Sequence, residues 1–226
     1  MYIVLDTETR GRVRSMHAAL YNSDNWPRVF EVSWNVYDVN RNLLITRNFV
    51  AAETNDYSFH HRALCELKSH LKLHCKYLCG HNIEFDVKAL GAELFRLNGN
   101  FYGILSETPN IQLLDTMMDS RFFCALDTFH WPTLEQLHLR LFGIKHSLPL
   151  HSAANDATVT ADCLFELIRL EIIKPERNEL PHESIRRKQE EEENEWAMRC
   201  AKGHNRIKST AIPLANNQGY LLLNKK

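Results

Sequence analysis

The first eight residues, Met1-Tyr2-Ile3-Val4-Leu5-Asp6-Thr7-Glu8, constrain the fold more than any other stretch. An apolar run rich in β-branched residues, free of Gly and Pro, reads as a central strand. Yet it ends in two carboxylates. Strand side chains alternate, so Asp6 and Glu8 share one face. Two such charges about 4 Å apart repel by roughly 4 kcal/mol at an effective dielectric of about 20, and a bound cation would remove that repulsion. Taken alone, the tripeptide also reads as a solvated turn after an edge strand, so further ligands must come from elsewhere in the chain.

A polar loop from Thr9 to Asn25 follows, carrying Arg10, Arg12 and Arg14 as candidate phosphate contacts against the alternative of a merely solvated loop. Val29–Tyr37 and Leu43–Val50 read as two strands of an antiparallel meander joined by a short connector. Trp26, just before them, reads as a packing residue. Leu64, Leu67 and Leu71 recur at helical spacing and predict an amphipathic helix from about His61 to His74. Tyr77-Leu78-Cys79 is a short strand ending at Gly80-His81, with Asn82 as the expected N-cap of a helix over 83–97. On that helix Asp86 lies on the stripe of Leu90 and Leu94, which should face the core. An uncompensated buried carboxylate costs several kcal/mol, so Asp86 requires a partner. Glu84 and Lys88 form an i,i+4 pair on the solvent side.

Ile111–Asp115 predicts another strand, Thr133–Phe142 a short helix stopped by Gly143, and the region from Ala153 or Ala154 to about Ile173 the last core helix. Asp156 sits in its first turn, on the apolar stripe and favoured there by the helix dipole. His151 precedes it in the loop. The order of strands and helices is that of an α/β protein with a mixed sheet flanked by helices, and three separate segments deliver acids to strand ends or helix starts.

With 226 residues, 44% hydrophobic and 24% charged, the chain can bury one good core and carry an appendage. The formal net charge of -1 excludes an overall positive field, so a polyanion would have to be held by local Arg and Lys clusters or by metal ions. Six cysteines lie scattered in apolar segments, with no signal peptide or membrane-length apolar run evident, which leads to the expectation of reduced thiols in the cytoplasm and no membrane partner. His70, His74, Cys75, Cys79 and His81 lack the paired spacing of a zinc site.

Three stretches carry a family resemblance. Asp6-Thr7-Glu8-Thr9, Gly80-His81-Asn82-Ile83-Glu84-Phe85-Asp86 and His151-Ser152-Ala153-Ala154-Asn155-Asp156-Ala157 resemble, in order, the motifs of the DEDDh branch of 3′-to-5′ exonucleases. The proofreading epsilon subunit of bacterial DNA polymerase III is a familiar member of that branch. Trp131 through Gly143 is similar to the helix that precedes the third motif in that family. A tyrosine-type relative would carry Tyr where this chain has Ser152, whereas His151 stands five residues before Asp156. The loop after Glu8 departs from the pattern, with Arg10 and Gly11 in place of a second Thr and a directly following Gly. The resemblance spans about residues 1–175.

It implies a ribonuclease H-like fold over residues 1–176, with a C-terminal helical or irregular extension at 177–226. It implies metal-dependent release of nucleoside monophosphates from 3′ ends by two Mg²⁺ ions, with Mn²⁺ as a substitute, since hard oxygen ligands suit these cations. Asp6, Glu8, Asp86 and Asp156 would hold the ions, and His151 would take the proton from the attacking water. Thr7, Thr9 and Asn82 are weaker substrate contacts, while Phe85 reads as core and His81 as structural. The expected partner is a single-stranded or frayed 3′ end, DNA before RNA. A polymerase docked through the extension is a hypothesis, because nothing there matches a recognisable tether. The alternatives are a 3′-5′ exoribonuclease, a non-catalytic nucleic-acid-binding module on the same fold, and an endonuclease of related fold.

Overall fold

The computed structural model describes residues 1–52, 56–100, 102–124 and 130–175. The C-terminal extension, and Cys200 with it, lies outside the described residues.

Five strands form one sheet in the order β3-β2-β1-β4-β5. β1 (Tyr2–Arg10) is central, as its apolar composition requires. It pairs antiparallel with β2 (Arg28–Tyr37), which pairs antiparallel with β3 (Leu43–Val50). On its other side β1 pairs parallel with β4 (Tyr77–Gly80), and β4 parallel with β5 (Gln112–Asp115). Successive residues of β1 enter opposite cores. Ile3 and Leu5 pack with Phe59, Leu64, Leu67 and Leu71 of α1 (Tyr57–His74) and Leu90 and Leu94 of α2 (Ile83–Asn98). Val4 packs with Leu137 of α5 (Leu134–Phe142) and Val159, Leu164 and Leu167 of α6 (Ala153–Arg169). A strand buried on both faces cannot slip by one residue without exchanging its two sets of neighbours, so Asp6 and Glu8 are locked to the α6 side.

Several ends differ from the expected ones. α1 begins at Tyr57 because the Asp56 carboxylate accepts the Phe59 N–H at 3.0 Å. β1 runs past its acids to Arg10, with a register shift between Glu8 and Thr9. Two four-residue helices not expected from the periodicity, α3 (Thr116–Asp119) and α4 (Arg121–Cys124), follow β5. α5 has the capping box its sequence suggests: Thr133 accepts the Gln136 N–H and Gln136 accepts the Thr133 N–H. α6 stops at Arg169 rather than near Ile173. Glu171 turns left-handed, at φ 58°, while the N–H groups of Glu171 and Ile172 bond back to Ile168 and Leu167. That termination folds Ile173 back into the core, where it is buried.

Trp26 is buried with its indole N–H on the Ala19 carbonyl oxygen at 3.1 Å, a packing role as read from the sequence. Five cysteines, Cys65, Cys75, Cys79, Cys124 and Cys163, are free. Among the described residues no helix is long and apolar enough to cross a membrane. Leu67 is fully buried and remote in sequence from the acids, so Leu67→Ala should cost about 2–5 kcal/mol of stability in urea denaturation.

Candidate active site

β1, α2 and α6 bring the acids to one end of the sheet. Glu8 stands opposite Glu31 in the β1–β2 ladder, and Asp6 opposite Ser33. The intervening Thr7 points to the other face, where its hydroxyl donates to Asp86 Oδ1 at 2.6 Å. Asp86 is thus the inward-facing acid the helix pattern requires, buried and held by the strand that carries the first two. Gly80 makes this approach achievable: a Cβ there would sit 2.9 Å from Ile83 Cδ1 and 3.1 Å from the Leu5 carbonyl oxygen. A side chain at that position would push the start of α2 away from β1.

Asn82 occupies the N-cap position of α2, but its side chain does not cap the helix. Its backbone is left-handed (φ 75°, ψ 45°) rather than extended, and an N-cap side chain needs extended backbone to reach the first-turn N–H groups. Its own N–H instead donates to Asp115 Oδ1 at 3.0 Å, which also accepts from Met117 and Met118. His81 is structural, with Nδ1 at 3.0 Å from Thr116 Oγ1 and Nε2 at 2.9 Å from the Pro132 carbonyl oxygen. Phe85 packs against the α1–α2 core. Glu84 and Lys88 form the expected ion pair, and Lys88 also reaches the Met16 carbonyl oxygen at 2.7 Å.

On α6, Asp156 lies in the first turn. His151 precedes the helix with its backbone left-handed at φ 72°, an uncommon conformation for a residue with a side chain. The His151 N–H faces Asp156 Oδ2 at 3.4 Å. Glu8, His151 and Asp156 each offer a ligand atom within 4.8 Å of the other two. Asp156 Oδ1 is buried without a hydrogen-bond partner.

Glu31 is the residue the sequence reading missed. It is buried, accepts the Ser152 hydroxyl at 3.1 Å and lies beside Glu8. In β2 it alternates with Ser33 and Asn35, a pattern that reads as a solvent face. Only the β1–β2 register and the packing of α6 turn that face inward.

The electrostatics follow from this crowding. Burial pushes the Asp6 carboxyl well above the ordinary range, and the charges of Asp86, Asp156, Glu8 and Glu31 raise it further. Glu8 is raised by burial and by Asp156, with His151 opposing. Asp156 is raised by burial, against the His151 N–H. Burial raises Asp86 to about 7 despite the Thr7 hydrogen bond. No Lys or Arg among the described residues pairs with any of these four acids. Oxygen donors, an imidazole and an unpartnered carboxylate oxygen at 4.8 Å spacing fit a divalent cation.

Neither a family model nor a curated protein matches this chain. Solved structures do. Escherichia coli exonuclease I in complex with a dT13 oligonucleotide aligns with a TM-score of 0.52 at 16% identity, over 74% of this chain and 40% of that one. The zinc-bound form of an E. coli exonuclease I–ssDNA complex aligns with a TM-score of 0.53 at 18% identity, over 75% and 40%. A product-bound exonuclease I aligns with a TM-score of 0.52 at 17% identity, over 76% and 44%. The fold is ribonuclease H-like, as in exonuclease I. At this identity the likeness is one of fold, and the chain spans less than half the length of those proteins. They support the ribonuclease H-like fold and do not single out an epsilon-like assignment.

The raised acids predict a pH dependence of stability. Between the unfolded carboxylate value of about 4 and about 7 for Asp86, the folded chain holds more protons than the unfolded one, so stability falls as pH rises through that window. Without metal, the melting temperature should therefore rise as pH is lowered from 8 to 6. Millimolar Mg²⁺ or Mn²⁺ should raise it most at pH 8 and flatten the profile. A metal-free melting temperature that is flat or falls over this range would contradict the assignment of these shifts.

Proposed function

We propose that this protein is a metal-dependent 3′-5′ exonuclease that releases nucleoside monophosphates from DNA 3′ ends, in the manner of the DEDDh exonucleases its motifs resemble. The observation that carries the reading is the convergence of Asp6, Glu8 and Asp156 with His151 on one face of the sheet, with Asp86 reached through Thr7. Asp6, Glu8 and Asp156 would hold one divalent ion, with Asp6 and Asp86 toward a second. Such ions supply an activated water and neutralise charge on the transferring phosphoryl group and the leaving 3′-oxygen.

The remaining work falls to this chain's own side chains. Exposed and beside Glu8 and Asp156, the His151 imidazole would take a proton from water and release it to solvent. The Thr7 hydroxyl anchors Asp86, so that the two faces of β1 act on the same reaction. Thr9 and the backbone around Asn82 flank the acids, where a terminal nucleotide would lie. Mg²⁺ is the proposed resident cation, with Mn²⁺ as a substitute. The exonuclease I structures were obtained with dT13 and ssDNA, which favours DNA here.

The test uses 3′- and 5′-labelled oligonucleotides of DNA and RNA with Mg²⁺, in which mononucleotides should appear from the 3′ end. Asp6→Ala and Asp156→Ala should each lower the rate by about 10³-fold or more, since several kcal/mol of charge stabilisation is lost. His151→Ala should lose about 10²–10⁴-fold. All three variants should remain folded by circular dichroism. Full activity in a purified Asp6→Ala sample would refute the site, and internal fragments would point to an endonuclease.

A further inference from the structure

β1 does not end at its acids. Arg10 lies two residues past Glu8, about 7 Å along a strand rising about 3.3 Å per residue, and pairs with Arg28 in the ladder. Beyond it the chain turns at Gly11, left-handed at φ 102°, into Arg12 and Arg14. These four arginines and Arg96 line a cleft of about 500 Å³.

One buried carboxylate organises its floor. Glu93 Oε1 accepts from Arg28 Nε at 2.9 Å, from an Arg96 guanidinium N–H at 2.9 Å and from the Val29 N–H at 3.0 Å. Arg96 also donates to the carbonyl oxygens of Ser23 and Trp26, each at 2.6 Å, and so fastens the loop that carries the other arginines. Arg12 and Arg14 are exposed, and no carboxylate among the described residues pairs with either. Five guanidiniums thus gather around one cleft, in a chain whose formal net charge is -1, with Asp24 and Glu93 the carboxylates beside them among the described residues.

That concentration of charge suits a polyanion. Guanidinium forks match phosphate oxygens two at a time, and Arg10, the last residue of the strand that carries Asp6 and Glu8, forms part of the cleft wall. A nearly neutral chain that crowds carboxylates at one end of its central strand needs such a patch to hold a polyanion there. We propose that this cleft binds the phosphodiester backbone of a polynucleotide strand, on the 5′ side of the residue being removed. The placement relative to the cut end rests on the nuclease reading, whereas the binding itself does not.

Two measurements on the full chain separate the two ideas. Anisotropy of fluorescein-labelled dT16 and rU16 in EDTA needs no catalysis. The double variant Arg12→Ala/Arg14→Ala should bind about 10-fold or more weakly at low salt and flatten the slope of log Kd against log salt by about 1.4, two contacts at about 0.7 each for single strands. Unchanged affinity and slope, or no binding by the wild type, would overturn the cleft. Weaker binding confined to rU16 or to dT16 would keep the cleft and identify the strand it holds.

The second measurement is hydrolysis of the p-nitrophenyl ester of thymidine 5′-monophosphate with Mn²⁺, a substrate too short to reach the cleft. Wild type and double variant should hydrolyse it equally, while the variant shows a raised KM on dT16. If the variant also loses ester hydrolysis while its melting temperature is unchanged, the arginines act at the reaction centre and the proposal is wrong. If the wild type hydrolyses nothing yet the anisotropy difference appears, the nuclease reading fails and the cleft stands.

Discussion

Desolvation of acidic side chains, with their mutual repulsion added to it, is the constraint the rest of this structure has to contain. Asp6, Glu8, Asp86, Asp156 and Glu31 crowd one end of the central strand, and each raises the proton affinity of at least one of the others or has its own raised. Such an arrangement persists only because the scaffold is fixed by other interactions. β1 is packed on both faces, so its acids cannot turn away without unpacking Ile3, Val4 and Leu5. Gly80 lets α2 close on β1, and Thr7 ties Asp86 to the strand.

The contrast with Glu93 shows what the acid cluster lacks. Glu93 is as deeply buried as any acid in the protein, but two arginines and a backbone N–H meet its carboxylate. Its charge is settled by the chain itself and its role is architectural. The acids at the end of β1 pair with no Lys or Arg among the described residues. One protein therefore shows both outcomes of burying a carboxylate: internal compensation where rigidity is wanted, and a deficit that a bound cation would complete.

Much of this was legible because periodicity reports burial directly. The apolar run of Ile3-Val4-Leu5 announced a central strand, and the position of Asp86 on the stripe of Leu90 and Leu94 announced an acid needing a partner. The stop at Gly143 and the pairing of Glu84 with Lys88 follow from local rules that tertiary packing left undisturbed. Asn82 shows where such rules end. Its place before a helix suggests a side-chain cap, but the left-handed backbone at the β4–α2 junction forbids one, and the strand that follows supplies Asp115 instead.

By itself the sequence determined the order of the strands and longer helices, the core faces of most of them and the need of Asp86 for a partner, because each depends on neighbours a few residues apart. Only the tertiary structure decided that Glu31 joins Glu8, that the Thr7 hydroxyl meets Asp86, and that Arg10, Arg12 and Arg14 share a cleft with Arg28 and Arg96. Those contacts depend on strand register and on which helix covers which face. Both are set by the summed packing of residues tens of positions apart, and no local pattern records them.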